Sequence, residues 1–416
     1  MTAQLIALSS PSPAELETST DVLADRLETS SDLTALARCL QTQPPDRHRR
    51  VMVAAEGADA ARVLRERDPK RIFTAEAVPG RPVVFMFSGV GDQYPGMAAG
   101  LYENLPPFRH ALDRCFELLD MDLRTALYPE KADEPTKPGL AALFDQRAST
   151  QEIHRTVVAQ PLAFATQYAM AQALGLTPSA LLGYSVGEYV AACLAGVFSL
   201  DDALNLVALR ARLVADLPEG AMLAVMSGPD AIEPLLEPPL SVAALNGPEL
   251  TVLAGPADAI ERIGKRLLAQ DIASRRLSTS HAFHSPMMDP VVEPLHDLLV
   301  TLPLRPPTVP FLSNATGTWI NEQEATSPRY WADHLRLPIR FTEQLAEVWK
   351  LPDPVLVELG PGGTLTNLAV RHPSRPPEGM ALRTLPGLFE SQPDIEAFLT
   401  TVGRLWTTGA EIPWPT

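Results

Sequence analysis

The apolar run Ala180-Leu181-Leu182-Gly183 passes without a spacer into Tyr184-Ser185-Val186-Gly187-Glu188, and the apolar helical stretch YVAACLAGV follows at once. A buried strand turning this sharply into a helix belongs to α/β architecture with a parallel sheet. Glycines at 183 and 187 permit the close backbone approach that such a turn demands. Gly-x-Ser-x-Gly between a strand and a helix is the nucleophile-elbow pattern. The turn lifts the serine side chain above the strand end, and the helix aims free N–H groups and its positive dipole end at any anion forming there. Ser185 is therefore a candidate nucleophile.

A second buried strand, Val83–Phe87, ends in the glycine-rich turn Ser88-Gly89-Val90-Gly91-Asp92-Gln93. Helical patterns follow at about 96–103, 107–119 and 155–174, with a variable loop and a short helix across 128–150. Ser199 with Asp202 three residues on resembles a capping box opening a helix that runs to about Leu217. From about 219 to 279 the order strand-helix-strand-strand-helix-strand (MLAVMS, 229–236, SVAALN, LTVLAG, 257–269, SRRLST) predicts a ferredoxin-like insertion. Strand signals then resume with VPFLSN and PVLVEL. The fold class expected is α/β: a large α/β-hydrolase-like unit with a parallel sheet over 78–390, carrying that small subdomain. A small α/β unit precedes it at 1–77, and a one-helix tail follows at 391–416.

The formal charge of −16 excludes nucleic acid or an anionic membrane as the main partner. No apolar run reaches the roughly 20 residues of a membrane span, and the N-terminus lacks a secretory pattern, so a cytoplasmic location is expected. Cys39, Cys115 and Cys193 show no metal-ligand or disulfide spacing; no metal site is expected, and all three read as buried thiols. Basic residues for docking acidic partners are sought at Arg47, His48, Arg49, Arg50 and at Arg275, Arg276.

A serine nucleophile needs a base. His281 and His284 stand in Thr279-Ser280-His281-Ala282-Phe283-His284-Ser285-Pro286, where the insertion rejoins the main body. On the residues alone, either could serve.

In order along the chain stand FSGVGDQYPGM, VAQPLAFATQYAMA, GYSVGE, LRAR, AALNGPELTVLAG, HAFHSPMM, PFLSNATG, YWADHLRLPIRF and VELGPGGTLT. Together they resemble the malonyl-CoA:acyl carrier protein transacylase family, and specifically the acyltransferase domains of modular type I polyketide synthases or a freestanding equivalent. The resemblance extends to the flanks: 1–77 is similar to the linker between ketosynthase and acyltransferase, and 391–416 to the segment after the acyltransferase. It implies Ser185 as nucleophile, His284 as base oriented by the Leu337 carbonyl, and an oxyanion hole from the backbone N–H groups of Val90 and Val186. It implies Arg210 as the residue binding the substrate's free carboxylate. Gln160, Tyr184, Asn246, His281 and Phe283 are implied as pocket or specificity residues. The substrate is malonyl-CoA or a similar acyl-CoA, and no cofactor is bound. The partner is an acyl carrier protein bearing phosphopantetheine, with a ketosynthase of the same synthase as a further one.

Two positions depart from the family pattern. Val90 replaces the usual glutamine of the first loop, and Tyr184 replaces the usual histidine before the nucleophile. HAFH resembles the malonyl form of its motif, in which Phe283 crowds the place of an α-methyl group. The implied reaction is ping-pong acyl transfer in polyketide biosynthesis, with the small subdomain keeping water from the cleft. Alternatives are editing hydrolysis of acyl thioesters at the same site, transfer of another acyl group, or a silent scaffold module.

Overall fold

The computed structural model describes residues 3–29, 32–119, 121, 123–128 and 152–414. The expected loop and short helix of 128–150 lie outside the described residues beyond Tyr128. In chain order the strands are β1 (Gln4–Ser10), β2 (His48–Ala54), β3 (Phe73–Glu76), β4 (Val83–Phe87), β5 (Ala180–Gly183), β6 (Ala221–Val225), β7 (Ser241–Gly247), β8 (Leu250–Gly255), β9 (Ser274–Arg276), β10 (Phe311–Leu312), β11 (Val355–Glu358) and β12 (Met380–Arg383).

The central sheet has the order β10-β5-β4-β11-β12, and each pairing is parallel. One register row runs Phe311–Leu181–Phe85–Val357–Leu382, every member buried. Strands this apolar are stable only with helices on both faces. The helix Thr156–Leu174 is buried along most of its length, as an all-round apolar sequence requires. The helix Leu200–Ala215 packs against it. Ser199 caps that helix by accepting from Asp202 N–H at 3.1 Å. The capping box is not completed, because the Asp202 carboxylate takes the Ser199 hydroxyl at 2.6 Å rather than its backbone N–H.

The insertion forms an antiparallel sheet of order β7-β8-β6-β9, the ferredoxin-like arrangement. It has its own core, including Leu223, Val225, Leu253, Ile260, Ile263 and Leu267. It is stitched to the main unit where Ile339 N–H donates to Ala243 O (2.9 Å) and Leu245 N–H donates to Ile339 O (2.8 Å). The register of β7 shifts between Leu245 and Gly247, so Asn246 stands in an irregularity that re-aims its side chain.

The first sheet, β1-β2-β3, is antiparallel and two-sided. Ile6, Leu8, Met52 and Ala54 face a core shared with Leu16, Leu23 and Leu64. The alternate residues Leu5, Ala7, Val51 and Val53 join the main core together with Phe398 and Val402 of the helix Asp394–Thr407. Gly403 lets that helix sit down, since a Cβ there would lie 2.7 Å from Leu5 Cδ1.

Several expectations need correction. β3 and β12, four residues each, are too short to announce themselves. Cys39 is exposed, whereas Cys115 is buried and Cys193 partly buried; burial pushes both inner thiols up to about 12. Arg49 and Arg50 are buried, so the 47–50 run is no free basic patch. Arg49 donates to Trp406 O at 2.7 Å, Arg50 donates to Thr20 Oγ1 at 2.7 Å and pairs with Glu17, and exposed Arg47 pairs with Glu76. Arg275 and Arg276 do stand exposed on the edge strand β9. Among the described residues, no helix is long and apolar enough to cross a membrane.

Candidate active site

Ser185 joins β5 to the helix Val186–Leu194 with φ 54° and ψ −121°, a conformation rare for a residue bearing a Cβ. Its neighbours make this possible. A Cβ at Gly183 would lie 2.3 Å from Glu188 N, and one at Gly187 would lie 2.2 Å from Phe87 O. Any side chain at either position would force the turn open.

Ser185 Oγ lies 2.8 Å from His284 Nε2, and His284 Nδ1 lies 2.9 Å from Leu337 O. A carbonyl only accepts, so Nδ1 carries the ring proton and Nε2 offers its lone pair to the serine hydroxyl. Burial, then the neighbouring His334 and Arg210, bring the His284 pKa down to about 3. The imidazole is therefore neutral at neutral pH and free to take a proton. Sequence alone left two histidines open. Distance separates them: His281 Nδ1 is 2.9 Å from Ser280 Oγ and 3.5 Å from Thr156 Oγ1.

Val186 N–H opens a helix, and no acceptor for it is found among the described residues. The same holds for Val90 N–H in the loop after β4. That loop lies against the elbow: a Cβ on Gly89 would meet Tyr184 Cδ1 at 3.2 Å and Ser185 Cβ at 3.5 Å.

Arg210 is 1% exposed, with its guanidinium carbon 5.4 Å from the centre of the Tyr189 ring. Nη1 donates to Gln160 Oε1, while Arg210 Nε and Gln160 Nε2 lack partners among the described residues. No carboxylate pairs with Arg210 among the described residues, and burial pulls its pKa down. A desolvated cation without a counter-ion is costly, and an arriving anion removes that cost.

On another side of the elbow, the Tyr184 ring meets Phe341 edge-on at 5.3 Å. Burial pushes the Tyr184 pKa up to about 12, opposed by a side-chain hydrogen bond from Asn246, whose Oδ1 has no partner among the described residues. Phe283, 7% exposed, lies 6.2 Å from the His281 ring. Metal-ligand clusters are absent among the described residues.

Sequence reasoning missed Asn314, which accepts Ser185 N–H at 2.7 Å, and the buried Glu188 beneath it. The signals were a carboxylate inside an apolar helix and a polar pair, Ser313-Asn314, at the end of a buried strand.

Residues 84–412 match the family model of the acyl transferase domain. The chain belongs to the acyl transferase domain family. Over 99% of its length it is 36% identical to a phenolphthiocerol/phthiocerol polyketide synthase polypeptide of Mycobacterium tuberculosis, of which it spans 28%. It is 34% identical to the spectinabilin polyketide synthase system protein NorB of Streptomyces orinoci over 80% of this chain and 15% of that protein. Among solved structures, the acyl transferase domain of ZmaA superposes with a TM-score of 0.89 at 31% identity, covering 100% of this chain and 96% of that one. The acyl transferase domain of SpnD, in complex with 2-(pent-4-yn-1-yl)malonyl, gives 0.85 at 35% identity, covering 98% and 96%. This acyl transferase domain is thus an enzyme of the polyketide-synthase type, with the α/β-hydrolase-like unit and ferredoxin-like subdomain of its neighbours.

Proposed function

We propose that this acyltransferase moves a malonyl-type group from coenzyme A to the phosphopantetheine thiol of an acyl carrier protein, through an ester on Ser185. The observation that carries the reading is the guanidinium of Arg210, buried without a carboxylate partner among the described residues and close enough to act on the charge of His284, the partner of Ser185. Malonyl has a thioester for the serine and a free carboxylate for the guanidinium, whose planar fork suits it.

His284 Nε2 takes the Ser185 proton as Oγ bonds to the thioester carbon. The oxyanion is met by the N–H groups of Val90 and Val186. The carbon–sulfur bond then breaks, and coenzyme A leaves as a thiol with the proton from Nε2. Arg210 retains the acyl carboxylate during the wait, assisted by Gln160. The carrier's thiol next gives its proton to His284 and attacks the ester, and Ser185 recovers its hydrogen. The small subdomain reaches this cleft with Asn246, beside Tyr184, and helps to exclude water.

Phe283 favours malonyl over α-methyl-bearing groups. The SpnD acyl transferase domain, in complex with 2-(pent-4-yn-1-yl)malonyl, holds a malonyl group of this kind. Residues 1–77 and 391–416 act as linkers towards neighbouring synthase modules such as a ketosynthase. Their shared packing, helix Asp394–Thr407 on β2, supports treating them as one structural piece. The test is product analysis with malonyl-CoA and a phosphopantetheinylated carrier protein. Malonyl-carrier as the main product supports transfer; free malonate at the same rate with or without carrier would make the enzyme a thioester hydrolase.

A further inference from the structure

Behind the elbow lies a buried polar chain that the reaction scheme leaves unused. Asn314, 2% exposed, grips the turn from both sides: Oδ1 accepts Ser185 N–H at 2.7 Å, and Nδ2 donates to Gly183 O at 2.6 Å. Its own backbone N–H donates to Glu188 Oε2 at 2.7 Å. Glu188 is fully buried in the helix that Ser185 opens. Its Oε2 is also 3.1 Å from His334 Nε2, and its Oε1 accepts from the Tyr330 hydroxyl.

The segment carrying Tyr330 and His334 continues to the two carbonyls that hold the base. Leu335 O accepts His284 N–H at 2.9 Å, and Leu337 O lies 2.9 Å from Nδ1. His284 itself has φ 56°, a second strained residue. One carboxylate therefore connects the support of the serine to the support of the imidazole. Strained backbone persists only where its surroundings over-determine it. Asn314 Oδ1 occupies Ser185 N–H, and Val186 N–H is the next donor along the turn, without an acceptor among the described residues.

We infer that Asn314 and Glu188 are positioning residues for acyl transfer, jointly setting the geometry between Ser185 and His284. This rests on the roles proposed above for those two residues.

Rapid-quench mass spectrometry over a range of malonyl-CoA concentrations up to saturation separates positioning from folding. The amplitude of Ser185 ester counts correctly folded sites, and the single-turnover rate constant reports their geometry. Asn314→Ala is expected to lower the rate constant by about 100-fold, the scale of a 1 Å misplacement, with the apparent Kd for malonyl-CoA unchanged because Arg210 is untouched. Glu188→Gln presents one oxygen to three donors and is expected to be roughly 10-fold slower, since added disorder at the turn is a fraction of that displacement. Should Asn314→Ala fail to fold, Glu188→Gln decides the matter. A wild-type rate constant at any amplitude overturns the inference. Labelling of Ser185 by a small fluorophosphonate, run in parallel, needs no acyl recognition. If the native enzyme is labelled but never acylated, the acyl-group assignment fails while variant labelling rates still judge the positioning roles. If the native serine is not labelled, the nucleophile assignment fails, and the inference with it.

Discussion

The N-terminal unit and the interior around Ser185 handle charge in opposite ways. In the first, Arg50 and Arg67 pair with Glu17, Arg67 also with Asp21, Arg65 with Asp25 and Arg71 with Asp59, while the buried Arg49 is met by the backbone carbonyls of Asp46 and Trp406. In the second, Arg210 Nε, Gln160 Nε2, Asn246 Oδ1 and His334 Nδ1 are buried with no partner, and no such atom belongs to residues 3–77 among those described. Each unmet buried group costs about 1–3 kcal/mol. A unit that only has to fold satisfies its polar atoms internally. The interior that is proposed to receive a charged acyl group leaves some of them waiting.

This contrast is breakable. The largest effect is expected from Arg210→Ala, which should lower kcat/KM for malonyl-CoA by about 1000-fold, the ~4 kcal/mol typical of losing one side of a buried charge pair. Acetyl-CoA, which has no carboxylate, should be turned over no worse than by the native enzyme. Equal losses on both substrates would mean that the guanidinium is structural. Phe283→Ala acts on shape rather than charge. It should shift the ratio of malonyl-CoA to methylmalonyl-CoA turnover by about 10- to 100-fold towards the latter in a competition assay, the range for one methyl in an apolar pocket.

Arg50→Ala should lower stability by about 1–2 kcal/mol, little of it from the pair with the half-exposed, screened Glu17 and more from the buried hydrogen bonds to Thr20 and Thr74, and should leave kcat/KM untouched. Arg50 holds the Glu17 pKa at about 2, below its ordinary 4.5. That contribution is present above pH 4.5 and is lost as pH falls towards 2. Urea titrations of native and variant protein should therefore draw closer in acid, with the part due to Thr20 and Thr74 remaining. The acylation rate constant should change least of all: His284 stays neutral down to about pH 3, so single-turnover acylation should be flat between neutral pH and about pH 5. A fall centred near an ordinary histidine pKa would show that water reaches the imidazole.

The elbow was legible because its chemistry is local. Gly183, Ser185 and Gly187 are contiguous, and strand and helix patterns flank them. His284, Leu337 and Arg210 were reachable through resemblance, since spacing along a chain does not reveal which side chains meet. Glu188, Asn314, Tyr330 and His334 escaped for the same reason, being brought together from segments more than a hundred residues apart in the case of Glu188. The 47–50 run misled because a charge cluster looks solvated in sequence, whereas β2 turns Arg49 onto Trp406 and Arg50 onto Thr20 and Glu17. The helix start was placed at Tyr189 rather than Val186, because the turn residues carry no helical periodicity.

The most direct measurement is peptide mapping of enzyme quenched in acid after brief exposure to malonyl-CoA. A malonyl ester is expected on the peptide holding Ser185, discharged when carrier protein is added before the quench and absent from Ser185→Ala. An ester on any other residue, or an undiminished adduct in that variant, would contradict acyl transfer through this serine.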